Sequence, residues 1–258
     1  MSIPSTTANH ASPLPPCPFE DVDSTLAPAP MRLGYRQAFY QLVNVEEFPE
    51  ILPLAFDLTR HHLTIAPQAW AEGIPTPTTP ESIAPALDAA LRRLEQHRSA
   101  FSVPWRSESE DLTRRRALHY FMQYMPTAFV DGCWLQGGCR VAAAHTPVGA
   151  DITGLYQHQV RAFVADPGRH FVADYRAVYE RLGSRIEEVS SHSFAQRPDY
   201  LESSLALPLL LLSIAQFTRT FAPEILGLNL AWQYLGLSAL GPDLIRDMCE
   251  AYRLPRLG

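Results

Sequence analysis

Proline placement is the strongest constraint on this 258-residue chain: fourteen of its 23 prolines fall in residues 1–85. Segments such as Pro13-Leu-Pro-Pro16 and Pro75-Thr-Pro-Thr-Thr-Pro80 cannot continue a helix and favour extended or polyproline backbone. Residues 1–30 are therefore expected to form a mobile arm. Tyr35 to Leu63 is different. It carries Phe39, Leu42, Phe48, Ile51, Leu54, Phe56 and Leu58, too much apolar surface for a linker. One or two short helices docked on the main domain are expected there. The chain thus divides into a Pro-rich arm and docking segment, 1–79, and a helical bundle domain, 80–258.

From Pro80 onward apolar residues recur at three- and four-residue spacing, beginning with Ile83, Leu87, Ala90, Leu91 and Leu94. Acidic Ser107–Asp111 should cap the next helix, which carries Leu112, Leu118, Phe121, Met122 and Met125, and Pro126 should kink or end it. Further helices are expected over Val148–Val164, Phe171–Leu182 (closed by Gly183), Leu205–Phe221, Pro223–Leu240 and Pro242–Tyr252. Asp166-Pro-Gly168 reads as a turn. Alternating strand patterns are essentially absent, so the fold class is all-α, with six to eight helices.

Composition narrows the function. All 21 basic residues are Arg, and the net charge is −6, which argues against broad nucleic-acid binding. Cys17, Cys133, Cys139 and Cys249 form no C-x-x-C pair, and reduced, intracellular, cytoplasmic cysteines are expected. The first basic residue is Arg32, so an export signal is not expected. The most apolar run, Leu205–Phe217, has thirteen residues, against roughly twenty for a membrane span. Phosphate-binding loops, H-E-x-x-H and EF-hand loops are missing, and Gly236-Leu-Ser-Ala-Leu240 lacks the second glycine of a nucleophile elbow. Arg114-Arg-Arg116 reads as a solvated helix face.

An all-α chain does chemistry mainly by projecting carboxylates and imidazoles into its bundle, where they bind iron or manganese. His119, Asp131, His145, Asp151, His158, His170, His192 and Glu224 are the candidates. His61-His62 reads as a loop pair, and Cys133 and Cys139 as small buried apolar residues.

One arrangement is more specific. Asp131-Gly-Cys-Trp-Leu-Gln136 is followed by Leu155 to His170 and then by Phe221-Ala-Pro-Glu-Ile-Leu-Gly-Leu-Asn-Leu230. Ser193-Phe-Ala195 and the Leu205–Leu212 helix lie between the last two. Over roughly residues 115 to 240 the chain resembles the haem-oxygenase-like diiron oxidases, the iron-containing redox enzyme family. The resemblance implies a haem-oxygenase-like bundle that binds non-haem iron in place of haem. It implies dioxygen-dependent oxidation of a small amine, amino-acid or fatty-acid-like substrate in natural-product metabolism. In that pattern Tyr156, the Asp166-Pro167 turn and His170 occupy the first ligand stretch, and the family's Glu falls on or beside Gln159. A neutral amide there supplies no charge, which leaves His158 as its neighbour. The family's later ligand helix would follow the equivalent of Leu240–Leu254, and the sequence ends at Gly258.

Three readings stay open on these residues. In the first the chain is a divergent oxidase holding iron through Asp131, His158, His170 and Glu224. The second is a non-catalytic relative, without metal, that serves as a partner subunit in a homo- or hetero-oligomer. The third is a bundle that takes an apolar small molecule. Glu224 also suits the positive end of its own helix dipole.

Overall fold

The computed structural model describes residues 33–70, 76–100, 110–136 and 183–235, with short pieces at 150–151, 154–155, 176 and 179–180. The N-terminal arm, the Asp166-Pro-Gly168 turn and the Pro242–Tyr252 helix lie outside the described residues, as do Cys17, Cys139, Cys249 and the second half of Val148–Val164. Among the described residues every regular element is helical and no strand occurs, in agreement with the all-α expectation.

Helix α1 spans Tyr35–Val43 and buries Ala38, Phe39 and Leu42 on one face. Asn44 ends it. Its side-chain amide donates to Tyr40 O at 2.9 Å and to Ser190 O at 2.9 Å, so one residue caps the helix and ties it to a distant loop. A 3-10 turn at Pro49–Ile51 leads into α2, Leu52–Trp70. Proline is tolerated in the first turn because its missing N–H would have no partner there, which accommodates Pro53. Ile51, Ala55, Leu58 and Thr59 form the buried stripe, and the Thr59 hydroxyl is satisfied by Ala55 O at 2.9 Å. At nineteen residues, α2 is longer than the short docked helix expected.

Helix α3 covers Pro80–Ala100 and opens where expected. Ser82 Oγ accepts from the Thr78 and Thr79 N–H groups at 2.9 and 3.0 Å, fastening the two residues that lead into the helix onto its first turn. Helix α4 covers Glu110–Val130 and runs through Pro126. An interior proline costs about 3 kcal/mol. Met122, Met125, Thr127, Ala128 and Val130 are buried on both sides of it, and packing offsets that cost.

The stretch expected as one helix over Leu205–Phe221 is shorter. Helix α5 is the single turn His192–Ala195, α6 spans Ser203–Gln216 and α7 spans Ala222–Tyr234. Residues 217–221 leave the helix as turns. Phe217 and Phe221 there both reach Phe56 of α2, with ring centroids 5.2 and 5.6 Å away. Phe217 adopts φ −122°, ψ 44°, outside the helical region. The turn is set by that aromatic clamp, which no local apolar spacing encodes.

Helix α6 is the centre of the core. It buries Leu205, Pro208, Leu209, Leu211, Leu212, Ser213 and Ile214, which lie around its whole circumference, and α1, α2 and α4 pack against it. Each fully buried Leu contributes roughly 1.5–3 kcal/mol. Phe194 of α5 fills the junction, with Tyr200 at 5.4 Å, Phe129 at 5.9 Å and Phe39 at 6.0 Å. The Arg36 guanidinium of α1 donates to Arg197 O and Tyr200 O. Gln123 of α4 donates to Asp199 O at 2.7 Å and accepts from Leu201 N–H at 2.9 Å. The loop before α6 is thereby pinned from two helices.

Candidate functional site

The Asp131–Gln136 block forms the corner at the end of α4. Gly132 has φ 80°, a left-handed conformation that glycine adopts without steric cost, and it turns the chain. A further helical turn follows over residues 133–136, with the Leu135 N–H bonded to Gly132 O at 3.0 Å. Trp134 and Leu135 are fully buried. The Trp134 indole N–H donates to Asn229 Oδ1 of α7 at 3.4 Å, and its ring lies edge-on to Trp232 at 5.1 Å.

On α7 the residues Ile225, Asn229 and Trp232 share the buried face. Their spacing of four and three brings them over one another at 3.6 residues per turn. Glu224 sits in the first turn of the same helix and is exposed, off that face. Its position suits the dipole role.

Asp131 is half-buried at the corner. Burial first, and then the Asp131 charge, push the Cys133 thiol well above its ordinary range, so Cys133 stays protonated. Its Sγ–H points to Leu211 O at 3.5 Å. This is the packing role expected of Cys133, with a weak hydrogen bond added.

The remaining candidates scatter. His119 and His192 are exposed, on α4 and α5, and Asp151 is exposed as well. His158, His170 and His145 lie outside the described residues. His61-His62 is not a loop pair: both sit inside α2, with rings 5.8 Å apart and nearly perpendicular. Neighbours on a helix diverge by about 100°, so the pair does not chelate one ion. Among the described residues no group of three or more His, Cys, Asp and Glu side chains is placed to hold a metal ion. Asp131 suits iron in kind, as a hard oxygen donor at the edge of the core, and exposed Glu224 suits it less.

Sequence reasoning passed over two buried polar atoms. Tyr179 and Tyr200 are buried, and Tyr179 Oη and Glu187 Oε2 are buried atoms without a hydrogen-bond partner among the described residues. Tyr residues in an apolar pattern read as core, and nothing in their spacing marks a buried polar atom.

The chain matches no family model, no curated protein and no solved structure.

Proposed function

We propose that the protein is a haem-oxygenase-like, non-haem diiron oxidase or oxygenase acting on a small amine, amino-acid or fatty-acid-like substrate. One observation carries the reading. Two of the three blocks on which the resemblance rests, Asp131–Gln136 and Phe221–Leu230, meet in the interior through the Trp134–Asn229 hydrogen bond of 3.4 Å.

In this reading Asp131, His158 and His170 hold the iron, with Glu224 a further donor only if it leaves its exposed first turn. Iron, when bound, supplies dioxygen activation. The Asp131 carboxylate would provide anionic oxygen and offset metal charge. Buried Trp134, Leu135 and Trp232 make the core side of the corner apolar, which would strengthen electrostatics at the half-buried carboxylate.

The test is an anaerobic Fe(II) titration of the purified chain, with iron quantified after desalting and absorbance followed on admission of air. About two irons per chain and an oxygen-dependent absorbance change are expected. His170→Ala should lower bound iron roughly tenfold or more, as losses at metal sites do. Unchanged iron in that variant removes His170 from the site.

A second reading is favoured by exposed Glu224 and by the outer face of α7, where Leu230 and Tyr234 are 46% and 40% exposed. In it the bundle is non-catalytic and serves as a partner subunit. Absence of retained iron, with a partner that co-purifies through α7, decides for it.

A further inference from the structure

We propose that the outer face of α7 pairs two copies of this chain as an antiparallel, two-fold dimer. Pro223, Gly227, Leu230 and Tyr234 are all exposed, and their spacing of four, three and four residues sets them in one stripe along the helix. Buried Ile225, Asn229 and Trp232 lie on the opposite face, so the core takes one side of α7 and leaves the other apolar. Leu230 and Tyr234 are two of the four large apolar side chains exposed among the described residues. The Tyr234 hydroxyl donates to Asp88 Oδ1 of α3 at 2.5 Å, which anchors that ring at the end of the stripe.

The order of bulk along the stripe makes it complementary to itself. The two smaller residues, Pro223 and Gly227, come first, and the two larger, Leu230 and Tyr234, come last. A β-carbon added at Gly227 would meet no atom within 4 Å, so a second helix can approach closely there. A two-fold axis between Leu228 and Asn229 seats Leu230 of each copy over Gly227 of the other, and Tyr234 of each against Pro223 of the other. Every large residue then meets a small one, as an isologous contact requires. A parallel pairing would stack Gly227 on Gly227 and leave a gap. Glu224 is the single charged residue of α7. The antiparallel axis sets its two copies about 13 Å apart along the helix, beyond the Debye length of about 10 Å near 0.1 M salt. A helix of thirteen residues is about 20 Å long, and interfaces under about 1,200 Å² are weak and transient, so monomer and dimer should exchange in the micromolar range. The seam gives the α7 face of the second reading a defined occupant, and it forms whether or not the bundle holds iron, so the iron titration does not decide it.

Sedimentation equilibrium of the purified full chain, from about 1 to about 100 μM, tests this. A reversible monomer–dimer transition is expected. Leu230→Glu should raise the dimer dissociation constant about tenfold or more. Leu207→Glu, at an exposed apolar position of α6, should leave it unchanged. Gly227→Leu fills the seat of Leu230 and should weaken an antiparallel dimer, whereas it would fill the gap of a parallel one. A monomer over the whole range overturns the proposal and leaves the face to another segment of the chain or to a different protein. A dimer that survives Leu230→Glu, that Leu207→Glu weakens equally, or that Gly227→Leu strengthens overturns it as well. Circular dichroism checks the fold of each variant, and Leu230→Ala replaces Leu230→Glu should the latter fail to fold.

Discussion

The Trp134 indole N–H donates to Asn229 Oδ1 across 3.4 Å, and both residues are at least 95% buried. That bond joins the corner after α4 to the inner face of α7. Neither group can reach water, so each depends on the other. Trp134→Phe leaves the Asn229 carbonyl buried without its donor and should cost about 1–3 kcal/mol. Asn229→Leu combined with Trp134→Phe should cost less than the two single changes added together. Urea denaturation of the four proteins measures this, and strict additivity would show that the bond contributes nothing.

Two glycines respond in opposite directions. Gly132 holds φ 80°, where a β-carbon meets the following carbonyl, so Gly132→Ala should destabilise by about 1–2 kcal/mol. Gly227 lies inside α7, and an added Cβ there meets no atom within 4 Å. Gly227→Ala should therefore stabilise by about 0.5–1 kcal/mol through reduced backbone freedom in the unfolded chain. Thermal denaturation of both variants reads the signs directly.

Stability should fall as pH drops through the histidine range. Burial first, and then the neighbouring His61, lower the His62 pKa from its ordinary 6.5. Below that value the unfolded chain binds a proton that the folded chain resists, so stability is lost as pH falls from 6.5 toward the depressed folded value. The difference in melting temperature between wild type and His62→Gln should shrink or reverse between pH 7 and pH 5, relative to its value at neutral pH. A pH-independent difference would place His62 in an ordinary solvated environment.

Phe194 is fully buried and meets rings from α1, α4 and the loop before α6. Phe194→Ala should cost about 3–5 kcal/mol, and Phe194→Leu appreciably less, because Leu refills part of the cavity. Comparable losses from the two would mean that the ring contacts, not the volume, hold the junction.

Much of this fold was legible before any coordinates. The opening of α3 at Pro80, the helix end at Gly183 and the buried Phe121, Met122 and Met125 face all follow from spacing and local stereochemistry. Local rules failed where distant packing took over. Phe217 and Phe221 stand four apart, as a helical pair would, yet Phe56 draws both rings to itself and α6 stops at Gln216. Pro126 reads as a kink or an end, and of the two the end is ruled out, because α4 continues to Val130. His61-His62 looks like a loop pair because polar residues interrupt an apolar run, but Leu58 and Thr59 beneath it anchor the helix.

The candidate site was legible in part. Asp131 and Asn229 belong to blocks that sequence alone singled out, and the structure joins those blocks through Trp134. That Glu224 would turn outward depends on which face of α7 is buried, and an almost uniformly apolar helix does not declare its face. The Tyr200 hydroxyl reaches Met125 of α4, 75 residues away, which no local window spans.

Arg36 and Arg197 are 161 residues apart in sequence and joined by a hydrogen bond. Ribosomes add roughly 5–20 residues per second, so roughly ten to thirty seconds separate the synthesis of these two ends of the contact. Through that interval α1 and α2 exist without the α6 surface that covers them, presenting Phe39, Ile51, Leu58 and Phe56 to solvent or to a holding chaperone. Ribosome-stalled chains should stay protease-sensitive in α1 and α2 until α6 has cleared the exit tunnel, and early protection would assign those helices a core of their own. The architecture thus makes the newborn chain dependent on its last third.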